Sequence, residues 1–264
     1  MPSIAELRAV TQPEALLARP GAEHWAGRLF MRRLSPYATR ALLATPLSAN
    51  GVTWLMIPAG LLAALCLSFG GVLPALGAVA LVQLQLLLDC VDGEVARWRR
   101  TFSPAGVYID QIAHYSTEAA LAAALGIRAD GGWGSIGGWT ALGLAVAVLI
   151  LLLKSETHLV QVALARTGRA IPADDANAPA AAPTGRARLR QGVRLLPFLR
   201  PFQAVEATLL ALAAAVGDAV EGGLLGSRVL LLVLVAAGLV AVCGHLLAVL
   251  ASGRLKGGSL AGSD

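Results

Sequence analysis

The chain has 264 residues, 56% of them hydrophobic and only 14% charged, with a formal net charge of +5. A water-soluble domain carries about 25% charged residues, so this composition excludes one and points to a lipid environment. Its cysteines, Cys66, Cys90 and Cys243, are too dispersed for a disulfide framework or a zinc site. Its basic residues flank apolar segments on alternate loops rather than forming a patch, which excludes a nucleic-acid interface.

Residues 1–49 read as a cytoplasmic N-terminal segment, charged throughout and without the leading apolar core of a secretory signal. Within it, residues 23–43 mix Arg with Trp, Phe, Leu and Tyr, the pattern of an amphipathic helix lying in the membrane interface. Pro36 should break or kink that helix unless it opens a new one. Residues 50–254 then form the main domain. Six apolar segments, at about 51–69, 72–96, 105–127, 136–158, 202–220 and 229–251, each approach the roughly 20 residues a helix needs to cross a bilayer. The Pro/Ala-rich stretch 172–185 reads as a loop, and 255–264 as a cytoplasmic tail.

The expected fold class is thus an all-α integral membrane protein, with six transmembrane helices preceded by an N-terminal interfacial helix. Arg8, Arg19, Arg28, Arg32, Arg33 and Arg40 precede the first segment, and Arg97, Arg99 and Arg100 follow the second. A further Arg run (Arg186, Arg188, Arg190, Arg194, Arg200) precedes the fifth, and it suits attraction to anionic lipid headgroups. The other side holds only Arg128 and Arg228, so both termini should be cytoplasmic. Asp130 and Asp218 read as solvated helix ends.

Carboxylates inside apolar segments are costly unless they bind an ion or each other, which makes Asp89, Asp92 and Asp110 a functional site by default. On a helix, Asp89, Asp92 and Ala96 follow i, i+3, i+7 spacing with Gly93 near the same stripe, while Gly106, Asp110, His114 and Glu118 repeat every four residues. The short loop between the two segments lets the faces meet across an antiparallel pair. Hard carboxylate oxygens at that meeting suit Mg²⁺, Mn²⁺ or Ca²⁺. Gly93, Ala96 and Gly106 leave room for a bulky ligand, and Arg97 supplies a fork for phosphate. Glu118 either orients His114 or faces other polar groups. Lys154, Glu156 and His158 read as an ordinary charged helix end, and His245 as a hydrogen bond to a neighbouring helix.

The string Asp89-x2-Asp92-Gly93-x2-Ala96-Arg97-x8-Gly106-x3-Asp110-x3-His114 resembles the signature of the CDP-alcohol phosphatidyltransferase family, D-x2-D-G-x2-A-R-x8-G-x3-D-x3-D. It departs at the last position, where His114 stands for Asp. Pro46 to Thr53 is similar to the family's segment before its first span, keeping Asn50 and Thr53 but with Ser-Ala in place of Thr-Pro. The resemblance implies metal-dependent attack of an acceptor hydroxyl on a CDP-linked alcohol with release of CMP, a step of phospholipid or related polar-lipid synthesis. It implies Mg²⁺ or Mn²⁺ on Asp89, Asp92, Asp110 and His114. It also implies catalytic roles for Asp110 and His114, and contact of Asn50, Thr53, Gly93, Ala96, Arg97 and Gly106 with the CDP moiety. The expected partners are a CDP-alcohol donor such as CDP-diacylglycerol, a polar alcohol or alcohol-phosphate acceptor, membrane lipids and a second copy in a homodimer, with the active site at the cytoplasmic face.

Imidazole at His114, with an ordinary pKa near 6.5, serves as a base at neutral pH but brings no negative charge to a second metal. Its nitrogen moves metal preference from Mg²⁺ toward Mn²⁺. Two alternatives stand beside the transferase reading. One is a silent relative that binds CDP-alcohols without turnover. The other is an ion-coupled transporter, which intramembrane acids also mark.

Overall fold

The computed structural model describes residues 1–13, 24–167 and 197–251, and every described secondary-structure element is helical. The 172–185 stretch, most of the Arg run before the fifth segment and the C-terminal tail lie outside the described residues. The first helix, α1 (Ile4–Thr11), was not anticipated. It is opened by a capping box in which Ser3 Oγ accepts from the Glu6 amide and the Glu6 carboxylate accepts from the Ser3 amide.

One wide π-turn, Gly27–Met31, runs directly into α2 (Arg32–Leu43). Pro36 neither breaks α2 nor opens a new helix. Proline removes the amide that the carbonyl four residues back would need. That carbonyl belongs to Arg32, and Gln12 Nε2 donates to it at 3.0 Å. The orphaned group is satisfied from α1, and the helix continues.

Six long helices follow at the positions of the six apolar segments: α3 (Ala49–Leu67), α4 (Val72–Arg99), α5 (Pro104–Asp130), α6 (Gly138–Arg166), α7 (Ala204–Glu221) and α8 (Leu225–Ala251). Four of them, α3, α4, α6 and α8, are long and apolar enough to cross a membrane. Many of their Leu and Val side chains face outward, among them Leu73 at 80% and Val240 at 67% exposure. Contiguous apolar surface of that kind needs lipid or a partner to cover it.

The other two helices carry charged residues, several of which find partners within the bundle. From Leu121 to Ala129, α5 is buried at almost every position, so it packs against protein rather than presenting an apolar face. Its end is tied down by Arg128, only 1% exposed, which donates to the Phe69 and Gly71 carbonyls and to Ser227 Oγ. Ser227 in turn donates to Asp218 Oδ2. Asp218 is therefore a buried cap rather than a solvated end. Asp130 likewise accepts from Gly137, Trp139 and Thr140 at the start of α6.

Small residues set the close crossings. A Cβ on Gly60 of α3 would collide with the Thr117 hydroxyl of α5. One on Gly126 of α5 would stand 2.7 Å from the Trp139 carbonyl and 3.0 Å from Gly143 Cα of α6. His245 of α8 reaches Glu156 of α6 at 2.9 Å, the interhelical bond expected of it.

Candidate metal centre and cleft

The site forms where α4 ends and α5 begins. Arg100, in the left-handed region at φ 54°, terminates α4, and Ser103 caps α5 by accepting from the Gly106 amide at 3.0 Å, with Pro104 at the first helical position. The two helices therefore run antiparallel and bring their small and acidic faces together. The start of α3, capped by Ser48 accepting from the Gly51 amide, closes the third side.

Between them lies a cavity of about 220 Å³, lined by Asn50 and Thr53 of α3, Asp89, Asp92, Gly93 and Ala96 of α4, and Gly106 and Asp110 of α5. Ala49, Thr101, Phe102, Ser103 and Val107 complete its lining. Eight of the residues singled out in the sequence thus meet in one place. Thr53 Oγ1 donates to Asp92 Oδ2 at 2.7 Å, which fixes that carboxylate. Asn50 Nδ2 donates to Ser103 Oγ at 3.0 Å, and a Cβ on Gly106 would lie 2.7 Å from Asn50 Oδ1. Gly106 is therefore needed for close approach of α3 to α5.

His114 lies one turn further along α5 and does not line the cavity. Its Nε2 is 3.3 Å from Asp110 Oδ1 and 3.5 Å from Asp89 Oδ1. One ligand atom from each of Asp89, Asp110 and His114 lies within 4.8 Å of the others. Asp110 Oδ1 is buried and accepts no hydrogen bond among the described residues. The donor set, two hard carboxylates with a third in the same cleft and one imidazole, fits a divalent cation such as Mg²⁺ or Mn²⁺.

Two of the residues singled out have partners outside the cavity, and for Glu118 the second of its two readings holds. Glu118 does not orient His114: it forms an ion pair with Lys154 of α6 at 2.8 Å, and Lys154 also sits over the Tyr115 ring. The charged end of α6 is thereby a built contact to α5. Arg97 stands outside the cavity lining, its Nε donating to the Thr11 carbonyl of α1 at 2.6 Å.

Glu94 was missed entirely. It has no exposure and accepts from Ser35 Oγ (2.5 Å), Thr39 Oγ1 (2.6 Å) and Gln12 Nε2 (2.7 Å), fastening α1 and α2 to α4. The one available signal was Ser35 and Thr39 at i, i+4 on a helix otherwise rich in Arg and Leu. On the other side of the bundle, His24 and Trp25 donate to or share protons with Glu206 of α7.

The family profile described as CDP-alcohol phosphatidyltransferase matches residues 47–234, from the cap of α3 into α8 and including every residue that lines the cavity. No curated protein matches the chain.

Proposed function

Because the chain belongs to the CDP-alcohol phosphatidyltransferase family, we propose that it transfers a phosphoalcohol group, phosphatidyl from CDP-diacylglycerol, to an acceptor hydroxyl and releases CMP. The observation that carries this reading is the convergence of Asp89, Asp110 and His114 beside a cavity walled by Asn50, Thr53, Asp92, Gly93, Ala96 and Gly106. Small residues on two walls admit a nucleotide, and acids on the third admit the cation its diphosphate requires.

The family is generally dependent on divalent metal. Asp89, Asp92 and Asp110 would hold Mg²⁺ or Mn²⁺, with the His114 nitrogen beside them. A bound divalent cation supplies polarisation of the phosphoryl group and neutralises charge on the departing CMP phosphate. Thr53 holds Asp92 in place through its hydroxyl, and Asn50 keeps the α3 and α5 backbones at the spacing that leaves the cavity open. His114 Nε2 accepts the proton of the attacking hydroxyl, and Asp110, 3.3 Å away, stabilises the imidazolium that results. Arg97 offers its guanidinium fork to the donor diphosphate from behind Gly93.

In this reading all six long helices cross the membrane, α5 and α7 with their charged groups partnered within the bundle. Both termini and the cleft are cytoplasmic, in keeping with the Arg asymmetry along the chain, and α2 lies in the interface with Leu34 and Tyr37 outward.

The test is to incubate the purified protein in lipid vesicles with CDP-diacylglycerol and a panel of polyols, amino alcohols and polyol phosphates, with Mg²⁺ or Mn²⁺. Mass spectrometry should find one new phospholipid together with stoichiometric CMP. Failure with every acceptor, alongside failure to bind CDP-diacylglycerol, would overturn the reading.

A further inference from the structure

We infer that α1, which lies outside the residues matched by the family, is the element that sets Arg97 for donor binding; the inference rests on the function proposed above. Leu7 and Thr11 of α1 have no exposure, so the helix is seated in the protein rather than lying loose on it. Its last carbonyls have no partner within the helix and carry the negative end of its dipole, which favours a cation. Arg97 Nε supplies one, at 2.6 Å from the Thr11 carbonyl.

The next residue fixes that junction. Gln12 Nε2 donates to Glu94, one turn before Arg97 on α4, and to the Arg32 carbonyl that Pro36 leaves without an amide. Glu94 also holds Ser35 and Thr39 of α2. One buried carboxylate therefore ties both N-terminal helices to the turn that carries Arg97.

The Arg97 guanidinium is bonded through Nε to the Thr11 carbonyl. It rests over Gly93, where an added Cβ would stand 3.1 Å from Nη1 and 3.2 Å from Nη2. Gly93 is a wall of the cavity, so the two terminal nitrogens lie against a residue that lines it, although Arg97 itself does not. An unpinned Arg would have to give up its side-chain freedom each time donor binds. Gln12 and Glu94 are thus positioning residues that act through Arg97.

The test is a double-mutant cycle on the full chain, measuring CMP release and CDP-diacylglycerol binding for wild type, Gln12→Ala, Arg97→Ala and the double variant, with Glu94→Gln as a second probe of the same junction. Gln12→Ala should raise KM and Kd for the donor by about tenfold, the scale of one lost hydrogen bond to a charged group, with kcat within about twofold. On the Arg97→Ala background it should change neither. Unchanged donor KM in Gln12→Ala, or factors that multiply in the double variant, would overturn the inference, as would a fall in kcat and melting temperature with KM constant. Wild type that neither binds donor nor releases CMP would instead count against the proposed function.

Discussion

His114 has two aspartates within 3.5 Å and no other charged neighbour at that range among the described residues, because Glu118, the acid on its own face, is taken by Lys154. The residue thus belongs to the acidic cluster. If it is the base, His114→Ala should lower kcat by about 10²–10⁴, the contribution typical of general acid–base catalysis, with donor KM little changed. His114→Asp should also lose activity. A large gain in His114→Asp, read in the same CMP assay, would mean instead that the histidine marks a site that has lost turnover. The place of His114 was legible from its register, since four-residue spacing puts it on the face of Asp110 whatever surrounds the helix. Glu94 was not legible, because its partners Thr39, Ser35 and Gln12 lie 55, 59 and 82 residues away in sequence. No local pattern encodes a bond of that separation. The same holds for Arg97, whose spacing predicts a phosphate contact but whose link to Thr11 depends on a helix that the apolar pattern does not register.

The long helices were readable where local chemistry ends them. Ser103-Pro104 and Ser48 mark starts, and Gly131 and Gly222, both at positive φ, mark stops. Helix α1 escaped because eight residues give no apolar period to detect, although Ser3 and Glu6 carry the spacing of a capping box. That Pro36 does not end α2 has a related reason: a proline's cost depends on whether its orphaned carbonyl finds another donor, and here Gln12, which caps α1, supplies it. Between elements, glycine decides how near the backbones come. Gly126→Ala must push α5 from α6, since the obstruction is the backbone at Trp139, Thr140 and Gly143 rather than a movable side chain. The expected loss is about 1–3 kcal/mol, seen as a lower melting temperature in detergent. Gly134→Ala, with nothing within 4 Å of the added carbon, should leave the melting temperature unchanged. Equal effects of the two substitutions would contradict this account of the α5–α6 contact.

At the scale of the whole molecule, the apolar composition foretold an all-helical protein with membrane-length helices. What it blurred was the difference between helices apolar enough to cross a membrane alone and helices that carry charges partnered within the bundle. α5 and α7 have the length but not the apolarity of a lone span, and their charges are answered inside the bundle by Lys154, Ser227 and His24. The proposed orientation makes a direct prediction. In a background without Cys66, Cys90 and Cys243, Thr101→Cys at the cleft rim should react with an impermeant maleimide only from the cytoplasmic side. Ile136→Cys, exposed in the α5–α6 connection, should react only from the opposite side. Labelling of both from one side would overturn the orientation.

The central claim is that the aspartates of α4 and α5 form a metal-dependent phosphoalcohol transfer site. The measurement that tests it most directly is CMP release from CDP-diacylglycerol by wild type and Asp110→Ala in lipid vesicles, with Mn²⁺, with Mg²⁺ and with EDTA. The account predicts release by wild type that EDTA abolishes and that Asp110→Ala cannot restore at any metal concentration. Release that persists in EDTA, or in Asp110→Ala at the wild-type rate, would contradict it.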